Sequence, residues 1–262
     1  MSVLASMGES VLGWIRAQNY LAAVVWTVAR LGIRYSSWPQ TVRNVLARQI
    51  LFTGYEAVRF VSLVALAVGI SVVVQTQVWL AKFGQTALLG PVLVMVVVRE
   101  LGPLLVNFIV IGRSGAAMAT EMGIMKISGE IHVLDAQGVD PFVYLVMPRV
   151  LGAAVSVFCL TVIFVVVAFV SGYLSGLLLG ANPGHPALFI NSVFKAVQPA
   201  DVFNLLAKTL LSGAVTAAIC CMEGLSVKTS MTEVPQATTR SAVRSVVALV
   251  LVSALVSLVT YL

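Results

Sequence analysis

The stretch "VVVRELGPLL", residues 96–105, sets an arginine beside a glutamate inside a long apolar run and follows them with Gly102 and Pro103. The rest of the chain makes that placement costly. Of 262 residues, 60% are hydrophobic and 10% charged, against roughly 25% charged in an ordinary soluble domain. The composition predicts an integral membrane protein, in which an ionised side chain at mid-span costs about 2.5–3.5 kcal/mol on insertion scales. Neighbours on a helix do not face each other, so Arg99 and Glu100 make a poor local pair and each needs a partner elsewhere or contact with water. Pro103 has no N–H to offer the carbonyl of Arg99, and free backbone at this depth is tolerable only inside protein or beside a wet cavity. Two readings follow: an internal salt bridge fixing a kink, or a polar ring around a passage or pocket. We expect the second.

Working outward, five apolar runs are long enough to consider as spans: 60–74, 86–111, 150–180, 202–222 and 246–262. A helical span needs about 20 apolar residues. The first run, "FVSLVALAVGISVVV", is short, so its helix must either extend past Gln75 and Gln77 or be re-entrant. Gln75, Gln77 and Trp79 at its polar end, with aliphatic residues between them and Arg99, suggest a chamber that is apolar with polar points. Such a chamber suits a lipid better than an ion. Residues 1–48 mix Trp14, Tyr20 and Trp26 with spaced arginines, which predicts amphipathic helices lying in the interface, with a break at Pro39. They do not look like a cleavable signal. The expected organisation is an all-α membrane protein: interfacial helices over 1–48 and a transmembrane domain over 49–262.

Charge supports a topology. With the N-terminus in the cytoplasm and five crossings, inside loops hold Arg16, Arg30, Arg34, Arg43, Arg48, Arg59, Arg113, Lys126, Arg149, Lys228, Arg240 and Arg244, and outside loops only Lys82, Lys195 and Lys208. That asymmetry places the N-terminus inside and the C-terminus outside. The net charge of +6 is scattered singly, without the basic stripe that nucleic-acid binding requires. Cys159, Cys220 and Cys221 lie in apolar runs and read as small core residues.

The polar block 112–141 carries Met118, Met122, Met125, Ile127, Ile131 and Leu134 among Glu121, Lys126, Glu130 and Asp135. An amphipathic helical block on the cytoplasmic side fits a docking element, since methionine-rich faces adapt to partners; packing against the chain's own helix ends is the alternative. In "SGYLSGLLLG", Gly172, Gly176 and Gly180 recur every fourth residue and predict close helix packing within the chain.

"RELGPLL", "GRSGAAMATEMG", "VLDAQGVDP", "MPRVLG" and "QATTRSAV" occur in that order, and together they resemble the MlaE (YrbE) family, the permease subunits of MCE-type ABC transporters. The likeness runs from about residue 45 to the end. It implies a homodimer in the bacterial inner membrane that moves phospholipids or other lipids. It further implies cytoplasmic ATPase subunits, a periplasmic MCE protein and, in some members, a STAS-domain protein. By resemblance, Arg99 and Glu100 match a charged pair near the lipid pocket and Arg240 a basic residue of the last span. Val74 and Trp79 help line the cavity, and Glu121 to Asp135 hold the coupling helix. The chain departs from the family's glycine-rich pattern around "SVVVQTQVW".

The chain has no G-x-x-x-x-G-K-[ST] phosphate loop, so ATP and magnesium are expected on the partner ATPase and no cofactor on this chain. Two other classes compete. An ion-coupled secondary transporter would use Arg99 and Glu100 as a proton relay. An intramembrane serine protease would use Ser114 of "GRSG", but needs a histidine, and His132 and His185 both fall in polar segments. No ligand cluster of metal-site spacing is present.

Overall fold

The structure is a computed structural model that describes residues 21–32, 40–84, 88–178, 186–228 and 230–261. Among these residues the fold is helical without strands. In chain order the helices are α1 (Leu21–Gly32), α2 (Gln40–Thr53), α3 (Val58–Lys82), α4 (Leu89–Ile127), α5 (Glu130–Ala136), α6 (Phe142–Leu178), α7 (Pro186–Ala196), α8 (Pro199–Leu225) and α9 (Glu233–Tyr261). Helices α3, α4, α6, α8 and α9 are long and apolar enough to cross a membrane. Trp14, Arg16, Tyr20, Arg34, Pro39, Gly180 and His185 lie outside the described residues.

The spans are longer than the apolar runs suggest. Helix α3 has 25 residues, about 37 Å at 1.5 Å each. It continues through Gln75 and Gln77 rather than turning back, so no re-entrant segment is needed. Helix α4 has 39 residues, about 58 Å, nearly twice a hydrocarbon core of about 30 Å. The polar block 112–141 is therefore not a loop: its first half is the far end of α4. Helix α9 likewise starts 13 residues before its apolar run, absorbing the polar segment through Arg240 and Arg244. The expected boundary at 48/49 falls inside α2, which meets α3 through Gly54 and a single 3-10 turn, Tyr55–Ala57. Helix α1 sends Val24 and Val28 into the core and leaves Trp26 outward. At about 18 Å it is too short to cross.

Lipid tails are as apolar as leucine, so close approach of small residues must hold the bundle together. The α3–α6 pair shows this. A Cβ added at Gly69 would lie 2.2 Å from the Ala168 carbonyl oxygen, one at Gly172 would meet Val73 at 2.4 Å, and one at Gly176 would meet Gln77 Oε1 at 2.3 Å. The glycine spacing of "SGYLSGLLLG" thus serves packing within the chain. Cys220 and Cys221 are buried as expected, whereas Cys159 is exposed.

Helix α4 is not uniformly α-helical. Val94–Leu101 and Ile111–Gly115 are π-helical, as is Phe142–Val146 at the start of α6. At the first of these the N–H of Gly102 reaches back five residues to Val97. The extra residue accommodates Pro103, whose ring cannot follow an ordinary α turn without a lost bond. Helices α4, α6 and α8 form the middle of the bundle. Helix α9 buries only one stripe: Val234, Ala237, Ser241, Ser245, Leu249 and Ser253.

Candidate functional site

The π-helical turn of α4 presents Arg99 and Glu100 to two charges on α8. Arg99 Nε lies 2.8 Å from Asp201 Oδ1, and Lys208 Nζ lies 2.8 Å from Glu100 Oε1. Asp201 is fully buried yet well satisfied. It also accepts hydrogen bonds from the Tyr261 hydroxyl at 2.8 Å and from the Gln198 backbone N–H at 2.9 Å. The second bond is one half of a capping box that starts α8. Lys208, equally buried, donates to the Arg99 carbonyl oxygen at 2.8 Å. That carbonyl is the one Pro103 leaves without a donor. Ser257 of α9 donates to Glu100 at 3.0 Å. Two cations and two anions on α4 and α8, with Ser257 and Tyr261 of α9 bonded to them, thus form a cluster of zero net charge, which lowers the cost of holding them out of water.

The cluster is paired but not sealed. The side chains of Arg99 and Glu100 remain 24% and 46% exposed. The alternative of an internal salt bridge at a kink therefore describes the partners, while the open side keeps a polar face available.

The sequence reading missed Asp201 and Lys208, and placed Lys208 in an outer loop. It sits nine residues into α8, inside the apolar run 202–222 rather than in a loop. Arg240 does not join this ring. It lies on α9 seventeen residues before Ser257, about 25 Å along the axis, where its Nε is 3.9 Å from Glu223. Arg244 pairs with the same carboxylate. Gln77 is buried against Gly176 rather than lining a chamber with Arg99. Gln75 is exposed and Val74 half-buried, and exposed Trp79 stacks on Phe83 at 6.1 Å between centroids.

At the opposite end of α4 the chain turns sharply twice. Gly129 and Gly138 adopt φ of 77° and 76°, a left-handed conformation that glycine takes without strain. Between them stands α5, with Glu130, His132, Val133 and Asp135 exposed. Ile131 and Leu134 pack on the core shared with α1, α4, α6 and α8. The docking block is thereby corrected. Met118 and Met122 are fully buried and Met125 packs on the same core, so Met122 offers nothing to a partner. Glu121 pairs with Arg149 at 2.8 Å, and Lys126 donates to the Leu225 carbonyl, tying α4 to the end of α8. Of the charges expected to dock, Glu121 is exposed but paired with Arg149, while Glu130 and Asp135 stand exposed on α5.

Ser114 is fully buried, its hydroxyl without a hydrogen-bond partner, and His132 is exposed on a different helix. No nucleophile–base pair forms there among the described residues. Among the described residues no three His, Cys, Asp or Glu side chains gather to hold a metal.

Relatives supply the class of protein. A probable ABC transporter permease protein of Rickettsia conorii is 31% identical over 216 residues, 82% of each chain. One of Synechocystis is 33% identical over 208 residues, 79% of this chain and 78% of that one. The chain, whose described residues include five helices long and apolar enough to cross a membrane, is a membrane-embedded permease subunit of an ABC transporter. The family model for Permease MlaE matches residues 46–259, and the chain belongs to the MlaE family. A Haemophilus influenzae protein named intermembrane phospholipid transport system permease protein MlaE is 24% identical over 249 residues, 94% of this chain and 92% of that one.

Proposed function

We propose that two copies of this chain form the membrane core of a transporter that moves phospholipid between the bacterial inner membrane and a periplasmic MCE-domain protein. A separate cytoplasmic ATPase, carrying ATP and magnesium, drives it, with a STAS-domain protein as a further partner. The name of the Haemophilus relative supports the cargo class, and the positive-inside asymmetry supports a cytoplasmic N-terminus and a periplasmic C-terminus.

One observation carries the reading. Glu100 is nearly half exposed within a helix long and apolar enough to cross the membrane. Lipid tails are a poor neighbour for a carboxylate, so another polar surface must cover that flank. A second copy, meeting through the sparsely buried α9, covers it and encloses a hollow between the protomers. Acyl chains occupy the apolar wall, and the headgroup lies near Arg99 and Glu100. At the other end, Glu130, Val133 and Asp135 of α5 dock on the ATPase. Because α5 follows α4 through one glycine turn, movement of α5 is delivered to the helix that carries Arg99 and Glu100.

The test is reconstitution of the complex in liposomes, following transfer of a labelled phospholipid to the MCE protein. ATP-dependent transfer that fails in an ATPase-dead complex supports the proposal. Transport by this chain alone, driven by a pH gradient, favours a secondary transporter instead.

A further inference from the structure

Helix α8 carries a second feature that the ion pairs do not use. Asn204 is fully buried, and neither its amide nitrogen nor its amide oxygen has a hydrogen-bond partner. It lies three residues after Asp201 and four before Lys208, on the same stripe of α8. Axially it sits about 4.5 Å from one and about 6 Å from the other. A few residues deeper, Asn107 of α4 donates from its amide nitrogen to Pro103 and Ser212, both at 2.9 Å. Its amide oxygen has no partner. Asn204, with an open donor and an open acceptor, and Asn107, with an open acceptor, therefore lie on either side of Lys208 along α8.

An unsatisfied buried polar group costs about 1–3 kcal/mol, so two of them beside a charge cluster point to occupants rather than to vacuum. Water is the occupant that fits: small, able both to donate and to accept, and stable in buried sites where it has two to four polar partners. We propose that each protomer holds a small internal water cluster between α4 and α8, bound by Asn204 and Asn107, and that this water lets the Arg99–Asp201 and Glu100–Lys208 pairs part and re-form during the transport cycle. In a dry interior, separating two unit charges is prohibitive, and a few polarisable dipoles reduce that barrier steeply. Asn204 is a positioning residue: it holds the water, and the water solvates the separated charges.

The direct test is a high-resolution cryo-electron microscopy map of the wild-type transporter complex in lipid nanodiscs. Ordered water density within hydrogen-bond distance of the Asn204 amide is expected. A map in which both amide atoms bond protein groups directly, with no water, overturns the site whatever the cargo proves to be. The second arm measures turnover in the assembled complex. Asn204→Leu, which removes the water ligand but keeps the branching and heavy-atom count of the side chain, is expected to slow transport at least about tenfold while the protein still folds and assembles. Asn204→Ser is expected to be faster than the leucine variant. Wild-type turnover in Asn204→Leu overturns the role given to the water.

Discussion

Lys208 reaches from α8 to place its ammonium 2.8 Å from the main-chain carbonyl of Arg99, the acceptor that Pro103 leaves free. The same group pairs with Glu100. One side chain thus mends a backbone defect and neutralises a carboxylate on the residue next to it. Burial differs sharply across the pair, Lys208 being buried and Glu100 half exposed. Glu100→Gln removes the countercharge of a buried ammonium that keeps only the Arg99 carbonyl, a loss below the ~3–5 kcal/mol of a fully buried pair because Glu100 is nearly half exposed. Lys208→Met strands a carboxylate that is nearly half exposed, plus one carbonyl at about 1–3 kcal/mol. Thermal unfolding of the purified chain should rank Glu100→Gln below Lys208→Met, with the double variant recovering part of the loss. The reverse order contradicts the assignment of burial.

The α3–α6 seam is built on backbone approach. Gly69→Val puts a branched side chain where even a Cβ would lie 2.2 Å from the Ala168 carbonyl. Overpacking of this kind costs about 1–3 kcal/mol, and more when backbone must move. A melting temperature lowered by several degrees is expected, alongside little change for Gly112→Ala, where an added Cβ meets nothing within 4 Å.

Asp135 and Glu121 separate docking from folding. Asp135 stands exposed on α5, so Asp135→Lys is expected to lower ATPase stimulation in the complex by an order of magnitude while the melting temperature holds. Glu121→Lys breaks the pair with Arg149 and is expected to lower stability as well. Wild-type ATPase stimulation in Asp135→Lys removes that residue from the interface.

Much of this was legible in the sequence, and the misses share a cause. Apolar runs located all five spans, since burial in lipid constrains composition directly. The pair Arg99–Glu100 stood out because nothing nearby in sequence could satisfy it. Its partners did not, because Asp201 sits just ahead of the apolar run 202–222 and Lys208 is a lone cation inside it, and only the packing of α8 on α4 brings both to the pair. The available signal was periodic: Asp201, Asn204, Lys208, Ser212, Thr216 and Glu223 form one buried polar stripe along α8. Met122 was misjudged for the complementary reason. Composition made the block 112–141 look exposed, whereas its first half continues a packed helix.

Arg240 gives a prediction from a correction. It shares Glu223 with Arg244 about 25 Å from Ser257 along α9. Arg240→Ala is expected to leave the amount of lipid co-purifying with the complex unchanged, whereas Arg99→Ala lowers it severalfold. Equal losses in both would return Arg240 to the lipid site.

The central claim, that the open flank of the Arg99–Glu100 cluster faces a lipid-filled hollow between two copies, is tested most directly by a photo-crosslinking residue at Leu258. This side chain is exposed and neighbours Ser257, the donor to Glu100. Irradiated native membranes should yield, by mass spectrometry, both a covalent phospholipid adduct and a crosslink to the second copy, each stronger than at exposed Val162 on α6. An adduct profile at Leu258 indistinguishable from that at Val162, with no crosslinked pair, contradicts the account.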